Sequence, residues 1–193
     1  MRTALPTFAL VKIHSIMRKS ILFFSIALTA ITLGFTACSS DNNDDTPSVA
    51  DRVAGTYTGT DTLTIGGTYG PYETAGCRYV ITSAGDSSVT LTENEVTYAS
   101  TFIGDVTQGT LTIKNIPYNK TTGTFYLNLE GAGVVAHVKC VSHGITTMDS
   151  DYTLTSGYVR ITPLGSGRVK VDKTYRYGKM PFDIVTAFRG TSK

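Results

Sequence analysis

Gly55-Thr56-Tyr57-Thr58-Gly59-Thr60-Asp61-Thr62-Leu63-Thr64-Ile65 is the stretch on which the fold turns. Threonine occupies every second position from Thr56 to Thr64, while Tyr57, Leu63 and Ile65 fall on the other phase. β-Branched residues at period two beside one apolar phase predict a strand with one wet face and one buried face. Gly66-Gly67 ends it in a turn. Asp61 stands on the apolar phase, which points to a bulge, a satisfied buried carboxylate or a barrel mouth.

The same grammar recurs to the end of the chain, and no amphipathic helix interrupts it. Further strands are predicted over 77–82, 88–92, 95–102, 107–115 and 122–129. The segment 133–141 is apolar on both phases and reads as a doubly covered strand. The segment 152–161 reads as two strands bent at Gly157, and 168–175 and 182–188 complete the set. Eight to ten short strands without a sequence repeat predict an all-β domain, either an antiparallel up-and-down barrel of about eight strands or a β-sandwich.

Ahead of this domain, Ile21 to Phe35 is an uncharged apolar run of 15 residues behind Arg18-Lys19. It has the form of an export signal and is short of the roughly 20 residues a membrane helix needs. Met17 offers a start of conventional proportions, and residues 1–16 are set aside from the fold. Phe35-Thr36-Ala37-Cys38 resembles a bacterial lipobox, which makes 1–37 a signal peptide and Cys38 the lipid attachment residue. Two or more acyl chains on such a cysteine anchor stably, where one holds marginally. Residues 38–50, rich in Ser and Asp, form a solvated tether and leave 51–193 as the domain. That Ser/Asp-rich stretch resembles the surface-export signal of Bacteroidetes lipoproteins, with a plain spacer as the alternative. The expected location is therefore the outer membrane, facing the cell surface or the periplasm.

The chain carries 17 basic and 15 acidic residues. Four of the basic ones and none of the acidic ones precede Cys38, so the mature part has 13 and 15 and a net charge of −2. Nucleic-acid binding loses its electrostatic premise. Two cysteines remain in the domain, Cys77 and Cys140, either as one disulfide or as two separate buried thiols.

Several residue sets have the right chemistry for a site. His137, Cys140 and His143 are zinc-ligand types, but on a strand Cys140 faces away from both histidines. Glu93 and Glu95 flank Asn94 in an expected loop, where solvated charge is the default over acid–base work. Tyr158, Tyr175 and Tyr177 with Arg176 and Lys179 form an aromatic-basic set that could stack on sugar rings or simply cap strand ends. No motif for a nucleophile elbow, a phosphate loop or a zinc protease occurs. The expectation is a non-enzymatic domain without cofactor or metal.

Val53-Ala54-Gly55-Thr56-Tyr57, Asn115-Ile116-Pro117 and Ile184-Val185-Thr186-Ala187-Phe188-Arg189-Gly190 resemble the calycin-like β-barrel domain of Bacteroidetes lipoproteins. The resemblance implies a lipocalin-like barrel of eight antiparallel strands and no established activity. It also implies a closing contact, with Arg189 covering the ring of Tyr57. A barrel of this size can hold one small ligand. Two functions follow as expectations: binding of a small apolar or amphipathic ligand, or service as a structural or glycan-binding subunit of a surface glycan-uptake assembly.

Overall fold

The computed structural model describes residues 46–192, so the signal segment, Cys38 and the acidic part of the tether lie outside the described residues. The threonine-alternating stretch forms β1, Gly55–Ile65, with Tyr57, Asp61, Leu63 and Ile65 inward. Ten more strands follow: β2 Tyr69–Ser83, β3 Ser88–Glu93, β4 Val96–Thr101, β5 Gly104–Gln108 and β6 Leu111–Asn119. Then come β7 Thr124–Asn128, β8 Val135–Ser142, β9 Ile145–Gly165, β10 Arg168–Tyr177 and β11 Ile184–Ser192.

Eight of these close a ring in the order β1, β2, β3, β6, β7, β9, β10, β11, and every pairing is antiparallel. The β9–β10 ladder is the closing seam, and it settles the choice between barrel and sandwich. Two excursions depart from a strict up-and-down order. β4–β5 is inserted between β3 and β6, and β8 between β7 and β9. These three strands form a side sheet carried on the first half of β9, in the order β9, β8, β5, β4.

The ring and the side sheet give the barrel two storeys. In the lower one the side chains fill the interior. Tyr79 and Phe188 stack with ring centroids 3.9 Å apart, among Leu91, Ile113, Phe125 and Val171, all buried. Its open end is plugged by the turn before β1. Ala50 is fully buried, its N–H donates to Asp86 O, and Tyr57 donates its hydroxyl to Val53 O at 2.8 Å. The folded domain thus takes in Ala50, which the sequence places at the end of the tether. The upper storey lies between β1, β10 and β11 on one side and the side sheet on the other.

Three local expectations are corrected. Residues 107–115 are two strands, because Gln108-Gly109-Thr110 turns the corner from the side sheet back to the ring. β8 is covered on one face only, with Val135, His137 and Lys139 exposed between buried Ala136, Val138 and Cys140. β9 is one continuous strand that bends at Gly157 rather than two.

Candidate functional site

Three strands carry a charged residue on the inward phase, and the ring brings all three together. Asp61 on β1 and Lys173 on β10 are fully buried, and Glu93 at the end of β3 is 1% exposed. Lys173 Nζ donates to Glu93 Oε2 and, at 2.8 Å, to the Tyr79 hydroxyl, which donates in turn to Asp61 Oδ2 at 2.5 Å. The other Asp61 oxygen accepts the Thr62 N–H at 2.9 Å. Asp61 is thus a satisfied buried carboxylate. Burial pushes the Glu93 carboxyl above its ordinary value; Lys173 pulls it down and Asp61 pushes it up. Burial raises the Tyr79 hydroxyl well above its usual value, helped by Glu93 and Asp61.

Above this charged layer sits a neutral polar one. Gln108 Oε1 accepts hydrogen bonds from Tyr175 at 2.8 Å and Tyr177 at 2.6 Å. The two hydroxyls lie 3.3 Å apart. Tyr98 from β4 completes the layer. Gln108 and Tyr98 are each only 2% exposed, yet among the described residues the Gln108 Nε2 amide and the Tyr98 hydroxyl make no well-formed hydrogen bond.

This layer is the floor of a cavity of about 280 Å³ in the upper storey. Its walls are apolar, from Leu63 and Ile65 on β1, Val106 on β5, Val138 on β8 and Met148 on β9. Met180 and Phe182, in the loop between β10 and β11, stand at its rim half-buried. Aliphatic walls favour an apolar body, and the floor offers hydrogen bonds to one polar end.

The aromatic-basic set is divided by the ring. Tyr175 and Tyr177 point into the cavity floor, whereas Tyr158 lies on the outer face beside Tyr126, centroids 5.7 Å apart. Arg160 lies over both outer rings, 5.7 Å from Tyr126 and 5.1 Å from Tyr158. Arg176 pairs with Asp183 at 2.6 Å on the surface, and Lys179 is exposed.

The closing contact implied by the resemblance is not formed. Arg189 is exposed and stands opposite Thr60 on β1, while Tyr57 is inward and stands opposite Ser192. Lys173 is the cation over an interior tyrosine, 4.9 Å from the Tyr79 ring centroid. The cysteines stay unlinked. Cys77 Sγ donates to Thr74 O, Cys140 lines the cavity beside Met148, and burial raises both thiols.

Glu93 is not the solvated loop charge its neighbours suggest; Glu95 is. Cys140 faces inward and His137 outward, where it sits between Asp151 at 2.8 Å and Asp149 at 3.0 Å. His143 is exposed in the following turn, 3.1 Å from Ser142 Oγ. Sequence reasoning passed over Lys173, Tyr98 and Gln108. Each was legible as a polar residue on an apolar phase: Lys173 after Val169 and Val171, Gln108 after Val106, Tyr98 after Val96.

A closed antiparallel barrel of eight strands with an apolar cavity at one end is the architecture of small-ligand β-barrels. The family of the calycin-like beta-barrel domain matches residues 53–191, and the chain belongs to it. No curated protein matches the chain. Among solved structures, the crystal structure of a "putative outer membrane protein" from Bacteroides fragilis is similar, with a TM-score of 0.50 at 19% identity. The match covers 76% of this chain and 53% of that one, so this chain spans about half the length of that protein. The likeness is one of fold.

Proposed function

We propose that the domain is a non-enzymatic binding module that takes a small apolar or amphipathic ligand into the upper-storey cavity. The observation that carries this reading is the cavity itself, an apolar space over a polar floor in an otherwise filled barrel. Its volume lies near the lower bound of ordinary ligand sites, about 300–1,000 Å³, which favours one small molecule. Fluorescence of an apolar reporter dye measures uptake directly. Val138→Phe, which grows a wall residue into the space, should weaken dye binding at least about tenfold while far-UV circular dichroism is unchanged. Equal binding by the variant would place the dye elsewhere and refute the cavity as the site.

The module is carried on the outer membrane through a lipid on Cys38, in this reading. The lipobox supports the anchor, and the name of the Bacteroides fragilis protein supports the membrane. Cys38→Ser should release the protein from washed membranes into the soluble fraction; retention would point to another anchor.

The outer-face group Tyr126, Tyr158 and Arg160 favours a second reading, a glycan-binding accessory subunit of a surface uptake assembly. Aromatic rings beside a guanidinium suit sugar rings, and a glycan array that retains nothing would dismiss it.

A further inference from the structure

We infer that the cavity selects a ligand whose buried end is a neutral hydrogen-bond acceptor, a ketone, ester or amide oxygen, met by the Gln108 amide and the Tyr98 hydroxyl. The inference rests on the binding reading above and narrows it to a chemical class.

Two observations meet here. The first is a mismatch in the floor. Tyr175 and Tyr177 both donate to Gln108 Oε1, which fixes the side-chain amide so that its NH₂ group is left over. The Tyr98 hydroxyl makes no well-formed hydrogen bond among the described residues. Both residues are buried and both line the cavity. Buried polar groups are ordinarily satisfied, and leaving one unmade is costly. What the floor lacks is an acceptor, and a carbonyl oxygen with two lone pairs can accept from both donors at once.

The second observation is charge. Among the described residues no lysine or arginine lines the cavity. The nearest cation, Lys173, is engaged by Glu93 and Tyr79 in the layer below, where two carboxyl groups face one ammonium. Burial raises the Tyr98 hydroxyl well above its ordinary value, and the charges of Asp61 and Glu93 and a hydrogen bond toward Asp61 raise it further. An ionised carboxylate brought there would be desolvated without a counter-charge and would meet like charge. A fatty-acid anion is therefore the wrong ligand for this floor, although its chain would suit the walls.

The rival is a water molecule bridging the two donors, with the ligand reading only the walls. Three probes of equal chain length separate these cases: a medium-chain alkane, the corresponding methyl ketone and the corresponding carboxylate at pH 8, each displacing the apolar dye from the intact mature protein. The ketone should bind about tenfold more tightly than the alkane and the carboxylate, since each hydrogen bond is worth roughly a threefold to tenfold change.

Tyr98→Phe removes a hydroxyl that makes no well-formed hydrogen bond, although Asp61 lies within its reach, and should lower ketone affinity about threefold to tenfold while leaving the alkane unchanged. Gln108→Leu should do the same, and Tyr98→Phe stands as the control should that variant fold poorly. Equal binding of ketone and alkane would mean that water serves the floor and would overturn the inference. Tightest binding by the carboxylate would overturn it too. Failure of all three to displace the dye would overturn the cavity reading itself.

Discussion

Lys173 is the residue on which the interior chemistry depends, because it is the single buried cation facing two buried carboxyl groups among the described residues. Removing one partner from such a cluster leaves an uncompensated buried charge, at a cost of about 3–5 kcal/mol. Lys173→Met should therefore lose roughly that much in urea unfolding. Glu93→Gln should cost far less, because its amide oxygen still accepts from Nζ and one of the two carboxyl groups is gone. The pH dependence has a definite sign. The folded-state value of Glu93 is raised by burial, so its contribution is fully present below the unfolded value and is lost as pH rises through the folded one. Wild type should gain stability relative to Glu93→Gln on going from pH 8 to pH 5. A difference independent of pH would mean that Glu93 is ionised throughout. Much of this cluster is written in the sequence as charge on an apolar phase, and Asp61 shows it plainly. Glu93 is masked because it ends its strand beside Asn94, and Lys173 because it is one of eight basic residues between Arg160 and Lys193. Which strands become neighbours in the ring is what the alternation does not carry, since period two reports a face and not a partner.

At the scale of the element, β9 does the organising. Residues 145–153 pair with β8, and residues 154–165 pair with β10, with β7 on the other edge, so one strand of 21 residues belongs to both storeys. The change of partner falls between Thr153 and Leu154, three residues before the bend at Gly157, at φ 94°, where a Cβ would lie 1.8 Å from Thr174 O on β10. A side chain there meets both an unfavourable dihedral and backbone it cannot displace. Gly157→Ala should destabilise by at least about 1–3 kcal/mol, the ordinary cost of a strained dihedral, and should weaken dye uptake because the cavity hangs on this bend. Loss of stability in denaturant without loss of uptake would show the storeys to be less coupled than the shared strand implies. The bend at Gly157 is legible in the sequence, as are β1, β3, β4 and the second half of β2 in outline, whereas the first half of β2, residues 69–76, is not. The side sheet is not. Its corner at Gly109 interrupts an unbroken alternation by one residue, and the outward His137 and Lys139 of β8 are overlooked beside its valines.

At the scale of the described domain, a weak line runs along the edge of the side sheet. β4 is the outer strand of the side sheet, laddered to β5 alone, and its free edge runs beside the first half of β2, which is laddered to β1 alone. Two hydrogen bonds cross the line among the described residues, Thr74 Oγ1 to Thr97 O at 2.7 Å and Phe102 N to the Tyr72 hydroxyl at 3.1 Å, and Asn94 N to Arg78 O at 3.0 Å marks where the β2–β3 ladder ends. At the top the exposed rings of Tyr69 and Phe102 stack 4.1 Å apart. Around the ring, by contrast, a backbone ladder joins every pair of neighbouring strands, the shortest being the two residue pairs between β6 and β7. Local opening draws on regions with few buried contacts and exposed backbone bonds, so the seam should open at lower free energy than the ring. It also borders the cavity, since Tyr98 and Ile103 on the β4 side line it. Native-state hydrogen exchange should find the amides of 96–101 and 69–76 less protected than those of β1 and β11, with protection rising when a ketone probe is bound. Phe102→Ala, which removes the stacked ring from an exposed position, should speed both exchange at the seam and release of the dye without lowering global stability by more than about 0.5–1.5 kcal/mol. Uniform protection across the seam and the ring would mean that the barrel opens only by unfolding, and that a ligand enters past Met180 and Phe182 instead.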